Sequence, residues 1–114
     1  MAYKVIVNMT SSELTDVTVI PRKGDDPANS GDPIPVGDGK IGPDGDVEHV
    51  TYGDDENPYL NGISVTVVNK DNGSTTTITK TVTTRGDEFD NILNTNDHVS
   101  IEDASGIKTS GSNG

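Results

Sequence analysis

The chain lacks cysteine and tryptophan and is poor in apolar residues. Of its 114 residues, 29% are hydrophobic and 4% are aromatic, whereas globular chains average roughly 45–50% apolar. A disulfide-stapled scaffold is therefore excluded, and so is a core rich in aromatic rings. The length fits one domain, with or without a short tail.

Long hydrophobic runs are also missing. No stretch approaches the roughly 18 consecutive apolar residues of a membrane-spanning helix. The opening residues, Met1 to Val7, form too short an apolar run for a signal peptide and turn polar at once. The sequence therefore predicts a protein that is made in the cytoplasm and either joins an assembly or is released without a cleaved leader.

Acidic residues outnumber basic ones by 19 to 8, which gives a net charge of −11. Residues 24–57 hold ten acids and one base, Lys40, so this segment carries −9 of the total. Such a field repels phosphate groups over a Debye length, roughly 8 Å at physiological salt. Binding to nucleic acid or to an anionic membrane is disfavoured. Cations and basic partners remain compatible, and the acids also keep the chain soluble.

Side chains suited to catalysis are scarce. There is no thiol nucleophile, and His49 and His98 follow neither a triad spacing nor a metal-ligand spacing. Paired carboxylates are plentiful, but a glycosidase needs an aromatic-lined cleft to hold a sugar and raise one pKa. The composition therefore predicts that the protein is not an enzyme and needs no cofactor.

Apolar and polar residues alternate along most of the chain, with the period of a β-strand. Tyr3, Val5 and Val7 form the mostly apolar face of a first strand, and further strands are predicted near 17–21 and 47–52. No stretch of ten or more residues has helical spacing, so little helix is expected. Residues 22–45 are rich in Gly, Pro and Asp with little to bury, and they predict a long acidic loop.

The clearest local signal is a hairpin between residues 63 and 84. Asn72-Gly73 is the dipeptide of a two-residue type I′ turn. Counting outward from it pairs Val67 with Ile78, Val65 with Lys80, Ile63 with Val82, and Ser64 with Thr81. The alternate threonines 75–83 then form a solvent-facing side with good strand propensity. Lys80, on the inward side, is typical of an edge strand protected against uncontrolled pairing.

These patterns predict an all-β protein, a single antiparallel β-sandwich of the immunoglobulin-like or Greek-key type with about six to eight strands. The sandwich spans 1–103, and residues 104–114 form a flexible Ser/Gly-rich tail. Its core consists of Val and Ile and is small. For a core of this kind, the free energy gained by burying apolar surface roughly equals the conformational entropy cost of folding, so the net stability is near zero. This favours stabilisation by neighbouring subunits.

The leading functional hypothesis is a non-enzymatic structural or interaction module. It self-assembles or docks on a larger assembly, such as a filament, a shell or a virion, through strand edges or terminal arms. The arms are residues 2–10 and 104–114, and the partners are copies of itself or other protein subunits. The candidate interaction residues are Tyr3, Val5, Val7 and Lys80.

The alternative hypothesis is a monomeric ligand-binding sandwich. Calcium takes oxygen ligands, which closely spaced carboxylates on Gly-rich turns supply. The candidate calcium ligands are Asp44 with Asp46, Asp54 with Asp55 and Glu56, and Asp87 with Glu88 and Asp90. None of these groups has the spacing of an EF-hand loop, so only weak calcium binding, roughly millimolar, is expected.

A resemblance in the opening segment suggests a lipid as another possible ligand. The opening segment from Ala2 to Thr10, with Leu14 and Val17, resembles the first hairpin of aegerolysins. These are small, acidic, leaderless β-sandwiches that bind membrane lipids. The resemblance implies a lipid-binding sandwich, but the tryptophan-rich and cysteine-containing motifs of that family are absent from this sequence. It therefore assigns a lipid site to no particular residue.

Overall fold

The fold is a sandwich of two four-stranded sheets, seen in a computed structural model. The structure describes residues 2–24, 26–52, 59–68, 71–105 and 107–112. Their elements are β1 (Ala2–Asn8), β2 (Leu14–Pro21), β3 (Ile34–Pro35), β4 (Asp46–Tyr52), β5 (Leu60–Val68), β6 (Thr75–Thr81), α1 (Glu88–Thr95), β7 (His98–Asp103) and β8 (Lys108–Ser112). Sheet A has the order β4-β1-β7-β8 and sheet B the order β3-β2-β5-β6. The predicted β-sandwich is confirmed in this coarse form, although β1 and β7 pair in parallel.

The core lies between the inner faces of the two sheets and is dominated by Val, Ile and Leu. Sheet A contributes Ile6, Val50, Val99 and Ile101, which meet residues such as Ile63 of sheet B. Tyr52 and Phe89 are the aromatic members of this cluster. Aliphatic side chains therefore provide most of the buried surface.

The core-facing side of β1 is the more polar one, and it carries Lys4, Ile6 and Asn8, all buried. The Asn8 amide donates hydrogen bonds to the carbonyls of Ser12, Ile41 and Gly42, at 2.8, 3.1 and 2.9 Å. The Lys4 ammonium donates to the carbonyl of Asn96, at the C-terminal end of α1. Burial lowers the pKa of Lys4, against the opposing charge of Asp97. These polar groups lie inside because they satisfy loop and helix carbonyls.

The segment predicted as one long loop with little to bury is partly built into the sandwich. It contains β3, which pairs with β2, and an isolated bridge between Arg22 and Ser30. Val36 and Ile41 are fully buried in the core. The prediction was wrong on this point because isolated apolar residues among Gly, Pro and Asp show no periodicity.

Helix α1 was not predicted, since its eight residues are too few to show a helical repeat. Asp87 is its N-cap, and the Asp87 carboxylate accepts a hydrogen bond from the backbone N–H of Asp90. Such caps stabilise a helix by about 1 kcal/mol. Phe89 and Leu93 face the core. Among the described helical residues, no segment has the length and apolarity needed to cross a membrane.

The predicted tail, 104–114, contains β8, which pairs with β7 at one edge of sheet A. Ile107, just before this strand, is completely buried. One well-placed apolar residue therefore anchors a segment whose Ser/Gly composition suggested a free end.

The β5–β6 hairpin is present, but its register differs by two residues from the predicted one. Val65 lies opposite Ile78, and Ser64 opposite Thr79. Gly73 has a φ of 72°, whereas Asn72 does not have the positive φ that a type I′ turn requires. The Asn72 side chain instead accepts a hydrogen bond from the N–H of Ser74 at 2.9 Å. Because the offset is even, every side chain keeps its predicted face.

The register can be tested by disulfide formation, since the chain has no cysteine of its own. Ser64→Cys with Thr79→Cys should cross-link on mild oxidation, because these side chains face each other, with their hydroxyls 2.9 Å apart. Ser64→Cys with Thr81→Cys, the pair expected for a two-residue loop, is diagonal and should not. Mass spectrometry of each oxidised pair measures the yield. Faster cross-linking of the second pair would contradict the register.

Candidate interaction surface

The outward side of sheet A carries a continuous row of uncharged side chains across three strands. The register places Val5 of β1 beside His49 of β4 and His98 of β7. In the same way Val7 lies beside Val47 and Ser100, and Tyr3 beside Thr51. We call this surface the outer A face, defined by Tyr3, Val5, Val7, Val47, His49, Thr51, His98 and Ser100.

Large apolar side chains are exposed on the outer A face. Tyr3 and Val47 are 51% and 40% exposed. The Tyr3 ring stacks on the His49 ring with the centroids 5.5 Å apart and an interplanar angle of 21°. The Tyr3 hydroxyl also contacts Nδ1 of His49. This pairing packs the tyrosine ring of β1 against the His49 side chain of β4.

Among the described residues, few charges border the outer A face. Nδ1 of His98 lies 2.7 Å from an Asp97 carboxylate oxygen, and the next outward-facing residue of β7 after Ser100 is Glu102. The rest of the defined face contains no carboxylate, in a chain whose net charge is −11. A surface with exposed aromatic and aliphatic groups and little charge is suited to contact with another protein.

Three of the four predicted interaction residues, Tyr3, Val5 and Val7, lie in this row, where Tyr3 is exposed, Val7 is half-buried and Val5 is buried, and Lys80 lies elsewhere. Lys80 is on β6, an edge strand of sheet B. Its ammonium lies 4.6 Å from the centre of the Phe89 ring and 3.5 Å from the carbonyl of Ile107. Lys80 therefore bridges β6 to the helix and the start of β8 within the same chain.

The calcium candidates are not gathered into one site by the described residues. Asp46 accepts a hydrogen bond from the N–H of Gly42, and Asp44 is in the left-handed region at φ 60°. Asp54 and Asp55, with Glu56, lie outside the described residues. Within the described part of the chain, no three His, Cys, Asp or Glu side chains are grouped to hold a metal ion.

The third candidate group, Asp87 with Glu88 and Asp90, has a structural role that the sequence did not predict. Asp87 is the helix cap, while Asp90 forms a buried ion pair with Arg22, whose Nη2 lies 2.7 Å from Oδ1 of Asp90. Arg22 also donates to Oδ1 of Asn61 and to the Leu60 carbonyl, at 3.1 and 3.3 Å. This network joins the end of β2, the start of β5 and the helix.

The Asp90 carboxylate accepts hydrogen bonds from three residues of its own chain. Burial by itself raises the pKa of Asp90, but the N–H of Gly86, the guanidinium of Arg22 and the amide of Asn94 donate hydrogen bonds to it. Together with the positive charge of Arg22, these bonds outweigh burial and hold the pKa below its usual value. Asp90 is therefore a buried ionised group whose partners lie within the fold, which leaves no role for it as an exposed ligand.

Val47 is an exposed apolar residue of this face that the sequence did not single out. Its alternation with Glu48 identified a strand, but only the pairing of β4 with β1 places it next to Val7.

No family model, no curated protein and no solved structure matches the chain. The function is therefore inferred from the geometry of this chain.

Removing the Asp90 charge should destabilise the protein strongly at neutral pH. Asp90→Asn leaves Arg22 buried without its counter-charge, which costs about 3–5 kcal/mol. Asp90 has a lowered pKa in the folded state, so its contribution is fully present above its unfolded value of about 3.9 and is lost as the pH falls through the folded value. Urea unfolding of both proteins should show a stability difference that shrinks below about pH 4.

Asp32→Asn provides the matched control, because it removes the same charge from an exposed position. It should change the free energy of unfolding by less than about 0.5 kcal/mol. A difference between Asp90→Asn and the parent that stays constant down to the lowest pH would contradict the role given to the ion pair.

Proposed function

We propose that the protein is a non-enzymatic interaction module that associates with protein subunits, copies of itself included, through the outer A face. The observation that carries this proposal is the row of side chains around Val7 on the outward side of sheet A, in which Tyr3 and Val47 are exposed. Burying this row against another protein removes apolar surface from water, which is favourable by roughly 25 cal/mol per Å².

The charge distribution supports the same surface. Two copies of a chain with a charge of −11 repel each other at long range. Contact through the outer A face brings together few of the described carboxylates, whereas contact through the acidic stretch 32–46 would oppose several. Self-association through this face should therefore be weakened by charge repulsion and strengthened when salt screens it.

The proposed contact uses the outer A face and does not require an exchange of terminal arms between subunits. The first arm, residues 2–10, includes β1, which is paired on both sides by β4 and β7 of its own chain. The second includes β8, which is paired with β7. Deleting residues 1–10 would remove the centre of sheet A, so point substitutions on the surface are the better test.

We also propose that the sandwich is of the immunoglobulin-like or Greek-key type, with an acidic loop on one side. The order of elements supports this, because the chain crosses between the two described sheets four times along its length. Such crossing connections are typical of Greek-key sandwiches.

Light scattering behind size exclusion tests the association, over a roughly hundredfold range of protein concentration. The mass should rise above the 12.0 kDa of the monomer as concentration increases. It should rise further with added sodium chloride, and equally in chelator and in calcium. Val47→Glu places a charge in the middle of the face and should return the protein to a monomer.

Thr79→Glu is the control, because it adds the same charge to an exposed strand position on sheet B. It should leave the mass unchanged. A monomer at every concentration and salt level would contradict self-association. A mass that changes only with calcium would favour the alternative hypothesis of a calcium-binding sandwich.

A further inference from the structure

A cleft of about 670 Å³ opens at one end of the sandwich. It lies at the Leu14–Val67 end of sheet B, opposite the Pro21–Leu60 end where Arg22 is buried. The β1–β2 turn, the end of the β5–β6 hairpin and the β7–β8 turn surround it. Its lining includes Met9, Val67, Val68, Ile78, Glu102 and Asp103. The volume is within the roughly 300–1,000 Å³ that ligand pockets occupy.

The floor of this end cleft is apolar and continuous with the core. Val67 and Ile78 are half-buried and pack against the core cluster. At the rim, Met9 and Val68 are 53% and 41% exposed. A concave surface with exposed apolar groups at its rim favours the entry of an aliphatic or aromatic side chain.

One wall of the end cleft is acidic. Glu102 and Asp103 line it, and the described lining residues include no lysine or arginine. Asp103 accepts hydrogen bonds from the N–H and the hydroxyl of Ser105, which hold its pKa below the usual value, and Lys108 lies opposite it in the strand register. Glu102 has a weaker internal partner, the Ser110 hydroxyl at 3.3 Å. Glu102 is therefore the carboxylate better placed to meet a cation from outside.

The opposite wall is a strand edge. Thr76 and Ile78 belong to β6, the last strand of sheet B, which has β5 on one side and no described strand on the other. The open edge of such a strand can form backbone hydrogen bonds with an extended peptide, while alternate side chains of the peptide enter neighbouring pockets.

We propose that the end cleft binds an extended segment of a partner protein in which an aliphatic or aromatic side chain stands next to lysine or arginine. The segment adds to the edge of β6, its apolar side chain occupies the space over Val67 and Ile78, and its cation faces Glu102. The net charge of −11 attracts basic segments over the same range in which it repels acidic ones. None of the residues that line the cleft belongs to the defined outer A face, and the two surfaces meet at Glu102.

The probe is a short blocked peptide of alternating leucine and lysine, titrated into isotopically labelled protein and followed by NMR. Saturable shifts are expected at the backbone amides of 76–78 and 102–105. Two matched peptides, one with glutamate in place of lysine and one with serine in place of leucine, should bind much more weakly. The peptides separate the need for a cation from the need for an apolar side chain.

Two variants test the site itself, after thermal unfolding shows that each remains folded. Glu102→Gln should weaken binding of the leucine–lysine peptide roughly two- to fivefold, the effect of an exposed ion pair. Val68→Ser should weaken it roughly three- to tenfold through lost apolar contact. Asp32→Asn, which removes one negative charge far from the cleft in sequence, should leave the affinity within about twofold.

The proposal is overturned if the leucine–lysine peptide gives no saturable shift, or if the glutamate peptide binds equally well. It is also overturned if the shifts fall on Tyr3, Val47 and His49 instead of the cleft. Val47→Glu should not affect this binding, so failure here and failure of the proposed self-association are distinguishable.

Discussion

The buried ion pair between Arg22 and Asp90 is the constraint on which the arrangement of the described elements depends. Arg22 is 2% exposed and holds the helix against the ends of β2 and β5. Asn61 extends the same network to the Pro27 carbonyl and the Ser30 hydroxyl. A buried charge pair adds little stability compared with an apolar pair, but removing one partner is severely destabilising. The network therefore fixes where the helix and the preceding loop must lie.

This constraint gives the sandwich two different ends. At the Arg22 end, polar groups satisfy one another, and every buried side-chain nitrogen and oxygen in the described part of the chain has a hydrogen-bond partner. At the opposite end, apolar side chains such as Met9 and Val68 remain in contact with water. On the outer A face, the apolar side chains of Tyr3 and Val47 are likewise exposed, at 51% and 40%. Covering these groups with a partner would remove apolar surface from water.

The sequence predicted those features that depend on period and composition. Alternation identified most of the strands and the faces of the β5–β6 hairpin, and it placed Tyr3, Val5 and Val7 on one face of β1. The features that were missed depend on long-range contacts. Lys4 and Asn8 are inside because they satisfy distant carbonyls, and Val36 and Ile107 are buried as single anchors without a repeat. The hairpin register was wrong because Asn72 does not adopt the positive φ of a type I′ turn, and its side chain accepts a hydrogen bond from the N–H of Ser74.

The most direct test of the central claim, that the outer A face is the surface of association, is fluorine NMR of protein labelled with fluorotyrosine. Tyr3 lies on this face, Tyr52 in the core, and Tyr59 near Arg22, with its ring centre 5.7 Å from the guanidinium carbon. The Tyr3 resonance should shift or broaden as the protein concentration rises, while those of Tyr52 and Tyr59 stay constant. A Tyr3 resonance that is unchanged across a concentration range in which the mass increases would contradict the account.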